Sequence, residues 1–171
     1  MKYLVTFAGP IGSSKSPIAH YLSLKFHLPI LSNDVIRTEV IEDMGTLIET
    51  EFRSRAKDRF LSLLNSGKIF IFDASVDRRW QNIEAEIYEK GYRVFLVSLD
   101  ISYQFLEKIH LCKNYQESTD HLKNNFQEHQ KFLKKYSQLV SLSINDHNFS
   151  NCLLLSQQAL DSWLKSLLSN N

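Results

Sequence analysis

Short, almost unbroken apolar runs alternate along this chain with longer segments whose apolar positions recur every three to four residues. Residues 2–8 (KYLVTFA) form the first run, the pattern of a strand buried on both faces. Residues 15–27 read as a helix with Ile18, Ala19, Leu22 and Phe26 on one face, and Pro17 falls in its first turn, where a missing N–H costs nothing. Residues 28–31 predict a second strand. Ser32-Asn33-Asp34 can then cap a helix running to about residue 43. A helix over 46–65 stops at Ser66-Gly67, and residues 69–72 make a third strand ending at Asp73. A helix over 77–90 ends at Lys90-Gly91, and 93–99 is the fourth strand. Helices over 102–110 and 119–136, a strand over 139–144, a loop over 145–151 and a helix over 156–168 complete the pattern.

Strands alternating with helices imply βαβ units with right-handed crossovers. The expected fold is α/β, one domain spanning 1–171, with a five-stranded parallel sheet and helices on both faces. Ligands of such sheets sit at the carboxyl ends of the strands, which places 9–16, Asp34, Asp73 and the segment after Leu99 on one rim.

Composition narrows the function classes. At 171 residues, 43% of them hydrophobic, the chain is long enough to bury a core. A net charge of +1 argues against a strong non-specific nucleic-acid binder. Cys112 and Cys152 have neither metal-ligand nor redox spacing, which suits a reducing compartment. No apolar run approaches the roughly 20 residues that span a bilayer, so no membrane partner is expected and the cytoplasm is the expected location. Nothing in the sequence sets an oligomeric state.

The first strand feeds Gly9-Pro10-Ile11-Gly12-Ser13-Ser14-Lys15-Ser16. This fits the pattern G-x-x-x-x-G-K-[ST] except at Ser14, where the second glycine should stand. Such a loop cradles phosphate with successive backbone N–H groups and the start of a helix. The lysine neutralises β/γ charge, and the Ser16 hydroxyl can hold Mg²⁺. If Ser14 keeps helical φ/ψ, as the first residues of a helix normally do, the serine costs little beyond crowding.

Asp34 ends the second strand, where it could take a proton from an attacking hydroxyl. Arg37, one helical turn on, could hold a phosphate of the acceptor. Asp73, directly after a buried strand, can coordinate Mg²⁺ or its waters beside Ser16. Of Arg78 and Arg79, one is expected to face the cleft and the other the surface. Arg53, Arg55 and Arg59 read as a solvated helix face, His20 and His27 as surface residues, and Phe126, Phe132 and Tyr136 as core contacts. Residues 145–148 (NDHN) are either an adenine contact or an ordinary polar loop.

These residues resemble the small P-loop kinases that include the 5′-kinase domain of phage polynucleotide kinase. The matching pieces are Gly9–Ser16, the Asp34-x-x-Arg37 pair, Gly67 before the strand to Asp73, Arg78-Arg79, and Gly91 before residues 93–99. The likeness covers residues 1–110 well and the remainder in outline. It implies ATP and Mg²⁺ as cofactors, with Lys15 and Ser16 on the phosphates and metal. It also implies Asp34 as the base, Arg37 on an acceptor phosphate, Asp73 near the metal, and a lid over about 111–125 whose arginines steady the transferring group. The chain departs from that pattern in having no arginine after Arg93 and Pro17 after Lys-Ser. Lys113, Lys123, His110 and His121 are what the lid region offers, and lysine lacks the bidentate fork of arginine.

The expected activity is ATP-dependent phosphoryl transfer to a hydroxyl of a small molecule or of a nucleotide or polynucleotide end. The departures leave a slower kinase, a kinase using Lys113, or a nucleotide binder without catalysis. A simple ATPase is a further alternative. A GTPase would carry Asn-Lys-x-Asp, which this chain lacks.

Overall fold

A computed structural model describes residues 1–114 and 119–169. Five strands, β1 (Lys2–Ala8), β2 (Ile30–Ser32), β3 (Phe70–Ser75), β4 (Tyr92–Leu99) and β5 (Val140–Ile144), form one sheet in the order β2-β3-β1-β4-β5. Every neighbouring pair is parallel, as the alternation of strand and helix requires. The helices are α1 (Lys15–Phe26), α2 (Asn33–Met44), α3 (Glu49–Ser66), α4 (Trp80–Glu89), α5 (Tyr103–Cys112), α6 (Thr119–Tyr136) and α7 (Cys152–Ser169). Among the described residues no helix is long and apolar enough to cross a membrane.

The side chains of β1 divide by the two-residue period of a strand. Leu4 and Ala8 enter a cluster with residues of α2, α3, α4 and Phe132 of α6. Tyr3, Val5 and Phe7 enter another with Ile18, Ala19 and Leu22 of α1 and Leu160 of α7. Both faces are therefore covered, which accounts for the unbroken apolar run. Ile101, Leu106 and Leu122 form a third cluster between α5 and α6.

Element boundaries differ from the expected ones for local reasons. β2 starts at Ile30 because Leu28 is tied to the end of α1, its N–H donating to the Ser23 carbonyl and its carbonyl accepting from the Ser23 hydroxyl. α4 starts at Trp80 because residues 76–79 form a turn in which the Val76 carbonyl accepts from both Arg79 and Trp80. α7 starts four residues early because a 3-10 turn over Phe149–Asn151 runs straight into it. The expected lid over 111–125 falls partly on 115–118, outside the described residues.

Phe70 is fully buried at the centre of the α2–α4 face, edge-on to Phe60 and Tyr92 with ring centroids 6.2 Å from each. Truncation there removes a large apolar surface and leaves a cavity. Phe70→Ala should lower the unfolding free energy by about 3–5 kcal/mol, read from chemical denaturation midpoints.

Candidate functional site

The parallel sheet brings the carboxyl ends of its strands to one edge, and a cleft of about 1450 Å³ runs along it. The loop 9–14, α2, α3, the end of β3, the start of α4, α5 and α6 all contribute to its lining. Lys15, Ser16, Asp34, Arg37 and Asp73 line this one cleft together.

The loop is shaped by three left-handed or positive-φ positions. Gly9 has φ +149°, and a Cβ there would approach Leu99 Cβ to 3.1 Å. Gly12 has φ +74°, and a Cβ would lie 2.2 Å from His110 Nε2, so only glycine fits. Ser14 also has φ +74°, with ψ +36°. The expectation that it keeps helical φ/ψ is therefore wrong: the residue before Lys15 sits in the left-handed region that favours glycine. A serine there costs roughly 1–2 kcal/mol of backbone strain.

The loop carbonyls are held from outside. Lys15 Nζ donates to the carbonyls of Gly9 (3.0 Å) and Pro10 (2.6 Å) and approaches Ser13 Oγ at 3.3 Å. His110 Nε2 lies 3.0 Å from the Ile11 carbonyl, and Lys113 Nζ donates to the Gly12 carbonyl (3.0 Å) and to Ser14 Oγ (2.7 Å). The amides of Gly12 and Ser14 have no acceptor among the described residues. Bound carbonyls beside N–H groups without acceptors, at Gly12 and Ser14, are the arrangement that an anion cradle requires.

Burial pushes Lys15 down to about 8, offset in part by the nearby charges of Asp77 and Asp73. Ser16 Oγ donates to Asp73 Oδ1 at 3.2 Å. Burial raises the Asp73 carboxyl above its ordinary range, and that hydrogen bond works against the shift. Asp34 is exposed at the start of α2, and its backbone carbonyl accepts from the Thr38 hydroxyl. Arg37 is engaged elsewhere: its guanidinium meets Glu49 Oε1 at 3.3 Å and stacks 4.5 Å over the Phe52 ring.

Arg78 and Arg79 both line the cleft, against the expected division of one inward and one outward. Arg78 pairs with Glu128 at 2.9 Å and donates to Asn125 at 2.9 Å, joining α4 to α6. Arg55 and Arg59 tie α3 to Asp43 and Glu39 of α2, whereas Arg53 lines the cleft. His20 and His27 are exposed, and Phe132 is buried. Asn145, Asp146 and His147 line a separate cavity of about 410 Å³ with Phe126 and Gln130, and Asp146 Oδ1 accepts from the Ser102 N–H at 2.8 Å.

Two residues that sequence reasoning passed over support the loop. Asp77, expected to begin a helix, accepts the Gly9 N–H with both oxygens (3.3 and 3.1 Å) and faces His129 Nδ1 at 3.3 Å. His129 is fully buried, with Nε2 3.5 Å from Ser98 Oγ. A signal was present, because His129 falls on the stripe of α6 that holds Leu122, Phe126 and Phe132. A histidine in an apolar stripe needs a buried polar partner.

No protein-family model matches the chain, and no curated protein matches it in sequence. Solved structures do match it in shape. A gluconokinase from Sinorhizobium meliloti 1021 aligns with 99% of this chain and 98% of its own, at a TM-score of 0.71 and 13% identity. A shikimate kinase from Bacteroides thetaiotaomicron covers 96% and 99%, at 0.60 and 13%. The fold is that of the small P-loop kinases. The Deinococcus radiodurans tunicamycin resistance protein aligns over 95% of both chains, at 0.65 and 13%. At these identities the likeness carries the fold, and the narrower resemblance to polynucleotide kinase rests on sequence motifs alone.

The backbone strain at Ser14 can be isolated by comparing two variants that both lack the hydroxyl. Ser14→Gly should be more stable than Ser14→Ala by about 1–2 kcal/mol in equilibrium unfolding, since only the backbone preference differs between them.

Proposed function

We propose that this protein transfers the γ-phosphoryl group of ATP to a hydroxyl of a small molecule or of a nucleotide or polynucleotide end. The observation that carries the reading is the sharing of one cleft by an anion-cradling loop, a Ser16–Asp73 oxygen pair and the exposed carboxylate of Asp34. In this reading the N–H groups of Gly12, Ser14 and the first turn of α1 receive the phosphates, with Gly9, Pro10, Ile11 and Ser13 shaping the loop. Lys15 leaves the loop carbonyls and turns its ammonium onto the β/γ oxygens. Asp34 accepts the proton of the acceptor hydroxyl as its oxygen attacks the γ-phosphorus and the bond to the bridging oxygen breaks, releasing ADP.

Ser16 and Asp73 are hard oxygen donors, a hydroxyl and a buried carboxylate side by side, and they fit Mg²⁺ completed by phosphate and water oxygens. When bound, that ion would neutralise charge on the phosphates. Lys113 already reaches the loop and would supply the cation that lid arginines give in related kinases.

A second reading, a nucleotide binder without catalysis, is favoured by the absence of any arginine after Arg93. Two substitutions separate the readings. Lys15→Ala should weaken ATP binding at least about tenfold. Asp34→Asn should leave ATP affinity nearly unchanged while lowering phosphoryl transfer about 10²–10⁴-fold, measured by ADP release with acceptor present. ATP binding with no transfer to any hydroxyl compound in a broad panel favours the second reading.

Lys15 also makes nucleotide binding pH-dependent. Its ammonium deprotonates near 8 in the free protein, and a bound polyphosphate favours the charged form. Binding between about pH 8 and 9 should therefore take up as much as about one proton, read by calorimetry in buffers of different ionisation enthalpy. The uptake should fade below that window, where Lys15 is already charged, and disappear in Lys15→Ala.

A further inference from the structure

Two departures from the small P-loop kinase pattern meet at one point. Ser14 stands where the second glycine of the loop belongs, and no arginine follows Arg93. In the fold the Ser14 hydroxyl accepts from Lys113 Nζ at 2.7 Å, across 99 positions of sequence. The same ammonium donates to the Gly12 carbonyl at 3.0 Å. Serine is a costly residue here, because φ +74° is backbone that glycine adopts without strain. What serine adds, and glycine lacks, is an oxygen, and that oxygen holds a cation.

The surroundings of Lys113 show why a lysine needs that oxygen. Its backbone is fixed, because its N–H closes the end of α5 on the Ile109 carbonyl. One turn earlier His110 is buried against the loop, with Nε2 3.0 Å from the Ile11 carbonyl. A Cβ on Gly12 would lie 2.2 Å from that ring, so α5 and the loop meet as closely as a glycine permits. The Lys113 side chain has no comparable constraint. Its stem is flexible, and its ammonium is a point charge without the preorganised fork of arginine. One carbonyl alone would let the ammonium pivot about a single contact, and a second acceptor fixes it. The two acceptors belong to Gly12 and Ser14, the residues whose N–H groups have no acceptor among the described residues. The charge of Lys113 also reaches Lys15, whose ammonium it helps to push down.

We propose that Ser14 is a positioning residue whose hydroxyl seats the Lys113 ammonium beside the amides that receive the nucleotide phosphates, so that the serine and the lysine work as one pair. The proposal rests on the loop receiving phosphates, and it holds whether or not transfer to an acceptor follows. An arginine would not need the hydroxyl, since one guanidinium can hold a backbone carbonyl and an oxyanion at once. A lysine without the hydroxyl would bring the same charge to the loop but not to a fixed place in it. Ser14 therefore lowers the stability of the loop and raises its affinity for a polyphosphate. The two effects separate experimentally, because alanine and glycine both remove the hydroxyl and only glycine relieves the backbone.

The test compares Ser14→Ala, Ser14→Gly, Lys113→Met and the double variant Ser14→Gly/Lys113→Met in the full chain. Calorimetry reads the affinity of each for a non-hydrolysable ATP analogue with Mg²⁺ and for inorganic tripolyphosphate. Lys113→Met should weaken both ligands at least about tenfold. Ser14→Ala and Ser14→Gly should each weaken them about three- to tenfold and by the same factor, although their denaturation midpoints differ. The double variant should bind no more weakly than Lys113→Met alone, because without the ammonium the hydroxyl has nothing to seat. The proposal is overturned if Lys113→Met leaves affinity unchanged. It is also overturned if Lys113→Met costs the same factor, within about twofold, in the original and Ser14→Gly backgrounds, or if the affinities of the two Ser14 variants follow their stabilities. Should Ser14→Ala not fold, the cycle through Ser14→Gly decides alone. If neither ligand binds the original chain, the phosphate-loop reading falls and the proposal with it, whereas tight binding without coupling between positions 14 and 113 removes the proposal only.

Discussion

The position of β1 constrains everything at the rim of this molecule. The strand is hydrogen-bonded on both edges, to β3 and to β4, and covered on both faces by helices, so its last residue has almost no freedom. The loop that follows must start from a fixed point and direction. Asp77 then pins the first amide of that loop, and His129 holds Asp77 from the far side. A chain of buried contacts thus runs from the sheet through Asp77 to α6, and the loop inherits the rigidity of the core.

That rigidity serves a segment with an unfavourable backbone. Ser14 occupies the left-handed region and Gly12 is crowded by His110, so an isolated peptide of this sequence would not hold the loop geometry. Lys15, His110 and Lys113 compensate by engaging the successive carbonyls from Gly9 to Gly12. The result is a loop whose carbonyls from Gly9 to Gly12 are engaged, while the Gly12 and Ser14 N–H groups have no acceptor among the described residues.

What could be read from the chain was what depends on near neighbours. The apolar run of β1, the Gly9–Ser16 spacing and the pairing of Ser16, at the start of α1, with Asp73 of the adjacent strand β3 all follow from local pattern and parallel topology. The φ of Ser14 was not legible, because it is imposed by the closure of the loop rather than by the residue. Nor were the long-range pairings. Asp77 meets His129 across 52 positions and His110 meets Ile11 across 99, and no periodicity encodes such a meeting. Arg37 and Arg79 look equally available in the sequence. Glu49 and Phe52 distinguish them, and both come from a helix whose docking only the fold supplies.

The inward curl of Lys15 has a consequence for discrimination among anions. Its ammonium is the loop's own occupant, bonded to the Gly9 and Pro10 carbonyls, and any ligand must displace it. A monovalent ion gains little more from the ammonium than the carbonyls already provide, and it cannot span the loop. A polyphosphate engages the freed ammonium and several amides at once, so its gain grows with each oxygen while the cost of displacement is met only once. If the loop receives phosphates as proposed, Lys15 would make it a valence filter, its internal competitor yielding to multiply charged ligands before common small anions.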